Sequence, residues 1–510
     1  MKVKQLASVI AVLMVGLFSM RMASAQEEIT FITLNGASAE IAGGGAEAEN
    51  GMIAISDAGT YSLSGTLNDG QILINAPEDA AVTLILNGVT INSSTSAPIY
   101  AQSASALTVT LAEGSENTLN DAAEYIYASE GDDEPEAALF SDVDLIIDGT
   151  GSLTVNANYQ DGISTDDSLT INDSPIITVN AVDDALRGND AITINGGVYT
   201  LNAVEGDGLK SSEQESVILI EGGEFTITAE DDGVQSDRDF TMNAGTFVIT
   251  AGGDGIHSEY NLVINDGSIN VLDSEEGIEG AFIVINGGEI RVTSTDDGIN
   301  VSAPDDAETT TTNTAPGGAP AQGQPGGFMG DPNSPYYLHI NGGYIVVSAE
   351  GDGLDSNGAI EMTGGVVIVN GPTGFDNGAL DYDRAFDISG GLLIATGSAG
   401  MPQAPSDSSS QFSMLINYAE PYSPGTLVHI QTSDGEEILT FAPAKAFQSV
   451  VFSSPELTQG VTYAIYAGGS SSGIATDGLY ADGAYTPGTL FETVTITNSV
   501  TNVGEVRRRR

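Results

Sequence analysis

The chain contains no cysteine and no tryptophan, and it has 13 lysine and arginine residues against 71 aspartate and glutamate residues. Without cysteine, neither disulfide bonds nor thiolate metal sites can stabilise the fold. The formal net charge of -58 makes nucleic acid a poor partner, because proteins that bind phosphates need a basic surface. Cations, or neutral or cation-bridged polymers, are the partners that this charge favours.

Long apolar runs are also scarce. Residues 1–25 predict a secretory signal, because Lys2 and Lys4 precede the apolar run Leu6–Met20 and Ala23-Ser24-Ala25 provides a cleavage site of small residues. No other run approaches the ~20 apolar residues that cross a bilayer. The sequence therefore predicts a secreted or cell-surface protein without a membrane span. The whole chain has a mean hydropathy of +0.02, and the part after the signal is expected to fold despite its charge.

The chain does contain a repeat. Eight times an acidic residue precedes Gly, or once Ala, and then Ile, Leu or Val. The repeats begin at Asp161, Asp184, Asp207, Asp232, Asp254, Glu276, Asp297 and Asp352. The steps are 21 to 25 residues, and the last step of 55 falls to 22 when the Pro/Gly/Thr-rich stretch Ala303–Pro335 is treated as an insertion. A constant period of this size is typical of a solenoid.

Each repeat contains three short strand-like runs, for example Asp232–Ser236, Asp239–Asn243 and Thr246–Thr250. Apolar and polar residues alternate within the runs, as in strands with one buried face. Asn and Gly at the turn before the third run, as in Asn195-Gly196-Gly197, are expected to adopt the positive backbone dihedrals of a tight corner. Three strands and three corners in ~22 residues predict an all-β, right-handed parallel β-helix.

The pattern divides the chain into five parts. The signal (1–25) precedes irregular β-helix coils (26–140), regular coils with the insertion (141–400 with loop 303–335), a β-rich C-terminal cap (401–506) and a basic tail (507–510). The tail is interpreted as a solvated terminus, or alternatively as a segment that docks onto an acidic surface.

The repeat acids predict a metal site. Equivalent positions in successive coils stack at ~4.8 Å, so the acids form a vertical row in which neighbours repel by about 3 kcal/mol at an effective dielectric of 20 and about 1 kcal/mol in water. Ca²⁺, which prefers several hard oxygen ligands, can neutralise such a row. Alternatively, each Asp is a turn residue that caps a backbone N–H. The predicted metal ligands are Asp161, Asp184, Asp207, Asp231, Asp232, Asp237, Asp254, Glu259, Glu276, Asp296, Asp297 and Asp352.

A second column lies three residues after each repeat acid and is expected to point outward, because the preceding apolar residue points inward. It consists of Ser164, Arg187, Lys210, Gln235, His257, Glu279, Asn300 and Asp355. Arg187, Lys210, Gln235 and His257 are predicted to contact carbohydrate, since a guanidinium or ammonium beside bound calcium suits a uronate carboxylate. The alternative is that the basic residues only compensate the charge of the acidic row.

No catalytic motif stands out. A polyuronate lyase needs a base such as Arg187 or Lys210, with Ca²⁺ acidifying the substrate. A hydrolase needs two carboxylates with separated pKa values, which the abundant acids neither locate nor exclude. Indole platforms for sugars are absent, although the 17 tyrosines offer stacking surfaces.

Several strings, among them Gly206-Asp207-Gly208-Leu209, Asp231–Asp237 and Asn377-Gly378-Ala379-Leu380-Asp381-Tyr382, resemble the bacterial carbohydrate-binding β-helix family whose shape is related to pectate lyases. The resemblance covers roughly residues 28–500. It implies a right-handed parallel β-helix, binding of cellulose and acidic pectin, and structural calcium at matching corner acids such as Asp207, Asp232, Asp254 and Asp297. Ala185 in place of Gly and Glu276 in place of Asp imply weaker or missing sites in those coils.

The sequence thus predicts an exported, calcium-stabilised parallel β-helix that binds polysaccharide without cleaving it. A calcium-dependent polyuronate lyase is the first alternative. A surface adhesin or structural solenoid, whose charge serves only solubility, is the second.

Overall fold

The computed structural model describes residues 29–127, 129, 131, 134–304 and 333–504. The predicted signal, the basic tail and most of the insertion lie outside the described residues. None of the described segments forms a helix, so this part of the chain contains no apolar helix of bilayer-spanning length.

The described residues form 46 strands, numbered in chain order. The N-terminal strands are β1 (Thr30–Gly36), β2 (Ala39–Ala42), β3 (Ala46–Glu49), β4 (Met52–Ile55), β5 (Gly59–Leu67), β6 (Gln71–Asn75), β7 (Ala81–Asn92), β8 (Ile99–Ser103), β9 (Ala106–Leu111) and β10 (Glu116–Asn120). The strands of the regular coils are β11 (Ala137–Ser141), β12 (Leu145–Gly149), β13 (Ser152–Asn156), β14 (Asp161–Thr165), β15 (Ser168–Ile171), β16 (Ile176–Ala181), β17 (Leu186–Gly188), β18 (Ala191–Ile194), β19 (Val198–Ala203), β20 (Leu209–Ser211), β21 (Val217–Ile220), β22 (Glu224–Ala229), β23 (Val234–Ser236), β24 (Asp239–Met242), β25 (Thr246–Ala251), β26 (Ile256–Ile264), β27 (Ser268–Asp273), β28 (Ile278–Ile285), β29 (Glu289–Ser294), β30 (Ile299–Val301), β31 (Tyr337–Ile340), β32 (Tyr344–Ala349), β33 (Leu354–Ser356), β34 (Ala359–Met362), β35 (Val366–Asn370), β36 (Phe386–Ile388) and β37 (Leu392–Gly397). The C-terminal strands are β38 (Ser413–Tyr422), β39 (Val428–Thr432), β40 (Glu437–Phe441), β41 (Phe447–Ser453), β42 (Thr462–Ser471), β43 (Ala475–Thr476), β44 (Leu479–Tyr480), β45 (Tyr485–Thr495) and β46 (Val500–Val503).

The coils stack in about 13 turns with parallel strand pairing, which confirms the predicted parallel β-helix. One turn consists of β14, β15 and β16, and each strand pairs in register with its counterpart in the next turn, β17, β18 and β19. We call the three resulting sheets face one, face two and face three, in chain order within a turn. Strands of face two and face three bury every second residue, because apolar side chains alternate toward a single core along the solenoid axis.

The turn before face three departs from the prediction in one respect. The positive backbone dihedral falls on the second glycine, as at Gly197 (φ 112°), and not on the preceding Asn195. The asparagine side chain instead donates a hydrogen bond to its counterpart one turn below, Asn195 to Asn172 at 2.8 Å. The same ladder continues from Asn243 through Asn265 and Asn286. Asn is therefore used here as a side-chain ladder residue, and glycine alone takes the left-handed conformation.

The register across the insertion agrees with the repeat. Ile299 on β30 pairs with Leu354 on β33, and Glu289 on β29 pairs with Tyr344 on β32, so the turns before and after residues 303–335 stack directly. Arg384 fixes the returning end of the insertion, because its guanidinium donates to the Ser334 carbonyl at 2.7 Å.

Replacing residues 305–332 by a short Gly/Ser linker is expected to leave the fold intact, because neighbouring turns pair without them. Far-UV circular dichroism and the melting temperature of the deletion variant should match those of the full chain. Loss of the strand signal or of a cooperative melting transition would show that the register depends on the insertion.

The C-terminal strands add a second core outside face three. β41 pairs antiparallel with β37 and β38, and β39 to β45, without β41, form a separate six-stranded sheet. On β41, Val451 belongs to the core of the solenoid, whereas Val450 and Phe452 belong to the second core. Ion pairs of Arg291 with Asp477 (2.8 Å) and of Lys445 with Glu350 (2.9 Å) join this C-terminal part to the coils.

Candidate functional site

The repeat acids lie at the corner that leads into face one, and they stack as a row. The carboxylates of six of the acids accept a hydrogen bond from the backbone N–H of the acid one turn further along. The distances are 3.1 Å for Asp161 with Asp184, 2.8 Å for Asp184 with Asp207, 2.7 Å for Asp207 with Asp232, 2.6 Å for Asp232 with Asp254, 3.2 Å for Asp254 with Glu276 and 2.5 Å for Asp297 with Asp352. The acids therefore stack as a row and also cap backbone N–H groups, so the two interpretations of the sequence describe one arrangement.

In four aspartates of this acidic row, the two carboxylate oxygens have different roles. The Oδ1 atoms of Asp161, Asp207, Asp232 and Asp254 accept the backbone hydrogen bond, whereas their Oδ2 atoms face basic residues of the second column. Lys210 Nζ lies 2.7 Å from Asp207 Oδ2, Arg187 Nη1 lies 3.7 Å from Asp161 Oδ2, and His257 Nδ1 lies 3.7 Å from Asp232 Oδ2. Cations therefore approach the row from the outer side of face one.

Arg187 and Lys210 compensate charge in the N-terminal half of the row. Arg187 also lies 3.6 Å from Glu136, and Lys210 lies 3.9 Å from Asp184. Burial alone lowers the pKa of Lys210, but the carboxylates of Asp184 and Asp207 raise its pKa overall, so that the ammonium form is favoured. These are the contacts that charge compensation requires, and the predicted contact of both residues with carbohydrate stays a prediction.

His257 continues the compensation by one turn. Burial lowers its pKa, but the hydrogen bond with Asp232 and the charge of Glu279 raise the pKa of His257 to about 9. The imidazole is therefore a cation at neutral pH. Its Nε2 atom faces Glu259 at 3.9 Å and Glu279 at 4.0 Å.

The C-terminal half of the row has less compensation. The ion pairs found among the described residues reach none of Glu276, Asp297 and Asp352. Burial and the charge of Glu279 raise the pKa of Glu276 to about 8, and burial with the charge of Asp297 raises the pKa of Asp352 to about 7. Burial with the charges of Asp297 and Asp352 raises the pKa of Asp355 to about 8. The carboxylates of this half are thus ionised at neutral pH only at an energetic cost.

Three turns of the row contain paired aspartates, and the turn that follows each of them has glycine at the position of the first aspartate. Asp183–Asp184 is followed by Gly206, Asp231–Asp232 by Gly253, and Asp296–Asp297 by Gly351. If Gly206 carried a Cβ atom, that atom would lie 2.6 Å from Asp184 Oδ1, and a Cβ atom at Gly253 would lie 2.5 Å from Asp232 Oδ1 and 3.0 Å from Asp231 Oδ1. A Cβ atom at Gly351 would lie still closer to the Oδ1 atoms of both Asp296 and Asp297. We call each paired aspartate with its glycine a cradle.

Three buried acceptor oxygens near the row have no hydrogen-bond donor within the described residues. They are Asp161 Oδ2, Gln235 Oε1, three residues after Asp232, and Asn300 Oδ1, three residues after Asp297. Asp161 Oδ2 already faces the Arg187 guanidinium at 3.7 Å. Burying an acceptor without a partner costs about 1–3 kcal/mol, so a cation or ordered water would stabilise the Gln235 and Asn300 oxygens.

The donor set fits Ca²⁺. One ligand atom from each of Asp161, Asp183 and Asp184 lies within 4.8 Å of the others, and the same holds for Asp207, Asp231 and Asp232. Two oxygens on one calcium ion are separated by at most about twice the Ca–O distance of 2.3–2.6 Å. Three carboxylates exceed the two positive charges at each of these sets, which come from Arg187 and Lys210 at the first and from Lys210 and His257 at the second, so the local charge stays negative.

The predicted ligands fall into three groups. Asp161, Asp184, Asp207, Asp231, Asp232, Asp296 and Asp297 contribute to the cradles or stack directly beside them. Asp254 and Glu276 form a further acidic cluster with Glu279, and Asp352 caps the Gly378 N–H. Asp237 directly follows β23, and Glu259 lies within β26, so both are at the far end of face one from the corner. There the Asp237 N–H donates to the Ser211 carbonyl, and Glu259 faces His257.

Asp183, Glu279 and Asp355 were absent from the predicted ligands, although each adds charge to the row. The alternation of acid and glycine immediately before the repeat acid is the signal that identifies Asp183, because Asp183, Asp231 and Asp296 share that position. Glu279 and Asp355 stood in the outward column, but nothing in the local pattern distinguishes an outward acid from a ligand.

The second column lies as predicted on the outer side of face one. Arg187, Lys210, Gln235 and His257 occupy adjacent register positions, and Arg187 pairs with Lys210 across β17 and β20. Ser164 and Asn300 belong to the same column but are buried. The side-chain amide nitrogen of Asn300 donates a hydrogen bond to the Glu276 carboxylate at 2.7 Å, so Asn300 holds the longer side chain of Glu276 in place.

Comparisons with known proteins found one family and two similar proteins. A family model described as carbohydrate-binding domain-containing protein matches residues 49–303 and 253–318, which together span more than half of the chain. A carbohydrate-binding domain-containing protein of Acetivibrio thermocellus is 43% identical over 119 residues, which are 23% of this chain and 42% of that protein. The chain thus spans less than half of the length of this relative. A solved structure described as a polysaccharide lyase-like protein from C. thermocellum, gadolinium derivative, is 34% identical and has a TM-score of 0.45; the match covers 48% of this chain and 97% of that one.

Proposed function

Since the chain belongs to the carbohydrate-binding domain-containing family, we propose that it is an exported, non-catalytic polysaccharide-binding protein whose acidic row binds Ca²⁺. The observation that carries the proposal is the set of three cradles, each with paired aspartates and a glycine that leaves room for them. Acidic or cellulosic glycans are the proposed ligands.

In the proposed site, the carboxylate oxygens and the basic residues have separate roles. The Oδ1 atoms hold the backbone of the next turn, and the remaining carboxylate oxygens of Asp161, Asp183 and Asp184 face the first cradle. When bound, Ca²⁺ supplies positive charge that offsets repulsion along the row and can attract an anionic sugar. Arg187, Lys210 and His257 supply the positive charge between the cradles.

The geometry favours polysaccharide binding over the first alternative, a polyuronate lyase. A lyase base must be neutral and must reach the proton that it abstracts. Lys210 is an ammonium held 2.7 Å from Asp207, and the Arg187 guanidinium faces Glu136, Asp161 and Asp184 while its Nε donates to Asn189 at 3.0 Å. Both candidate bases are therefore engaged with the row.

Affinity electrophoresis with ultraviolet detection tests the function. Calcium-loaded protein is expected to be retarded in gels that contain polygalacturonate or hydroxyethylcellulose, and to release no unsaturated product from polygalacturonate. Ultraviolet-absorbing product that disappears in the Lys210→Ala variant would support the lyase instead. Free migration in both gels without product would leave an adhesin or a structural solenoid.

A further inference from the structure

The chain makes a long excursion at the N-terminal end of the acidic row. Residues 121–136 connect β10 to β11, which is 16 residues, whereas residues 157–160 make the same connection between β13 and β14 with four. The excursion returns at Glu136, which pairs with Arg187 at 3.6 Å. This connection is therefore 12 residues longer than its counterpart one turn further along, and it ends beside face one.

The excursion contributes to a cluster of tyrosines. The ring of Tyr159, two residues before Asp161, stacks on the ring of Tyr125 with centroids 4.4 Å apart and an interplanar angle of 19°. Tyr127 lies beside them, 6.3 Å from Tyr125 at an angle of 57°. Tyr127 and Tyr159 are partly exposed, and Ile126 between the two loop tyrosines is 72% exposed. Together, the partly exposed rings and the exposed Ile126 side chain form an apolar and aromatic surface beside the start of the row.

Buried polar contacts hold this cluster in place. Asp121, which is 6% exposed, accepts a hydrogen bond from the Tyr125 hydroxyl at 2.8 Å. The other oxygen of Asp121 accepts from the Asn158 backbone N–H and, at 3.1 Å, from the Asn158 side chain. Asp121 thereby links Tyr125 to the residue that precedes Tyr159. The two stacked rings are fixed before any ligand arrives, which reduces the ordering cost of binding.

We infer that Tyr159, backed by Tyr125 and flanked by Tyr127 and Ile126, is a stacking platform for a pyranose ring of the bound polysaccharide. The inference rests on the proposed function and adds where a sugar residue binds. A pyranose presents an apolar face of C–H groups and a rim of hydroxyls, which matches an aromatic ring with polar groups at its edge. A nucleobase also stacks on tyrosine, but the strongly negative charge of the chain disfavours its phosphates.

The test is affinity electrophoresis of calcium-loaded full chain with polygalacturonate and with hydroxyethylcellulose. Tyr159→Ala is expected to weaken binding at least about tenfold, which corresponds to about 1.4 kcal/mol, whereas Tyr159→Phe keeps the ring and should bind like the unchanged protein. Tyr337→Ala is the matched control, because Tyr337 is a partly exposed aromatic on face two, in contact with Phe282 and His339. It is expected to bind normally.

Ile126→Ser provides a second variant that leaves the packed rings untouched, and it is expected to weaken binding about threefold. Normal binding by both Tyr159→Ala and Ile126→Ser would overturn the platform and leave the proposed function standing. Equal losses in Tyr159→Ala and Tyr337→Ala would also overturn it. If the unchanged protein binds neither polymer, the proposed function fails and the platform fails with it.

Discussion

Removing calcium is expected to lower the free energy of unfolding by about 8 kcal/mol, since three sites, each at a free calcium concentration of 100 times its Kd, contribute about 2.7 kcal/mol apiece. The physical reason is the row itself, where buried carboxylates stack along face one and the basic residues do not reach Glu276, Asp297 or Asp352. Thermal melting of protein dialysed against chelator, compared with the same protein after calcium is restored, measures the effect.

The effect of calcium should also depend on pH with a definite sign. Burial and neighbouring carboxylates raise the pKa of Asp254 to about 9, of Glu276 to about 8 and of Asp297 to about 6, above the ordinary values near 4 in the unfolded chain. Because the folded state then binds more protons, the metal-free protein loses stability as the pH rises from about 4 toward 9. Metal-free protein should therefore melt at a higher temperature at pH 5 than at pH 8, and calcium should raise melting more at pH 8.

Magnesium at the same concentration is the control for the calcium effect, because it requires an octahedral site and keeps its waters. It is expected to restore less stability than calcium. Equal melting with and without chelator at pH 8 would mean that water and backbone hydrogen bonds alone hold the row.

Gly351→Ala is expected to remove one calcium ion and about 2.7 kcal/mol of calcium-dependent stability, at a free calcium concentration of 100 times Kd. The new Cβ atom falls within 3.0 Å of the Oδ1 atoms of Asp296 and Asp297, which must move, and it lies 2.6 Å from the Asp296 backbone carbon, which adds a steric cost that does not depend on calcium. Gly253→Ala should act in the same way at the second cradle. Calcium titration by calorimetry and melting with and without chelator measure the two effects.

Gly222→Ala is the matched control for these variants. Gly222 also lies in a corner of a regular coil, but the nearest atom to its added Cβ is the Asn195 carbonyl oxygen at 3.6 Å, an ordinary contact. Its calcium stoichiometry should stay unchanged. The cradles would lose their assigned role if Gly351→Ala destabilised the protein equally with and without calcium, because the loss would then be steric alone.

The sequence predicted the features that depend on period and alternation. The step between Asp232 and Asp254 sets the register of β23 on β26, and the shrunken step across the insertion places β33 on β30. Apolar alternation predicted which residues are buried on face two and face three, because a strand has only two sides, but on face one Ser164 and Asn300 of the outward column are buried as well. Period alone therefore sufficed for the coil, the row of acids and the outward column.

Features that depend on contacts between turns were not predictable in the same way. That Oδ1 accepts a backbone hydrogen bond while Oδ2 faces a cation follows from side-chain rotamers at the corner, which the pattern does not contain. Likewise, Asp121 and Asn158 are 37 residues apart, and the pairing of β10 with β13 brings them together across an excursion that does not follow the repeat. The second core on face three depends on long-range packing of β41 and was predicted only as a β-rich cap.

Elemental analysis of the purified, folded protein after dialysis against trace calcium is the most direct measurement of the central claim. Three calcium ions per chain, falling to two in Gly351→Ala and remaining three in Gly222→Ala, is the predicted result. A calcium-free protein that is fully folded and melts at the same temperature at pH 5 and pH 8 would contradict it.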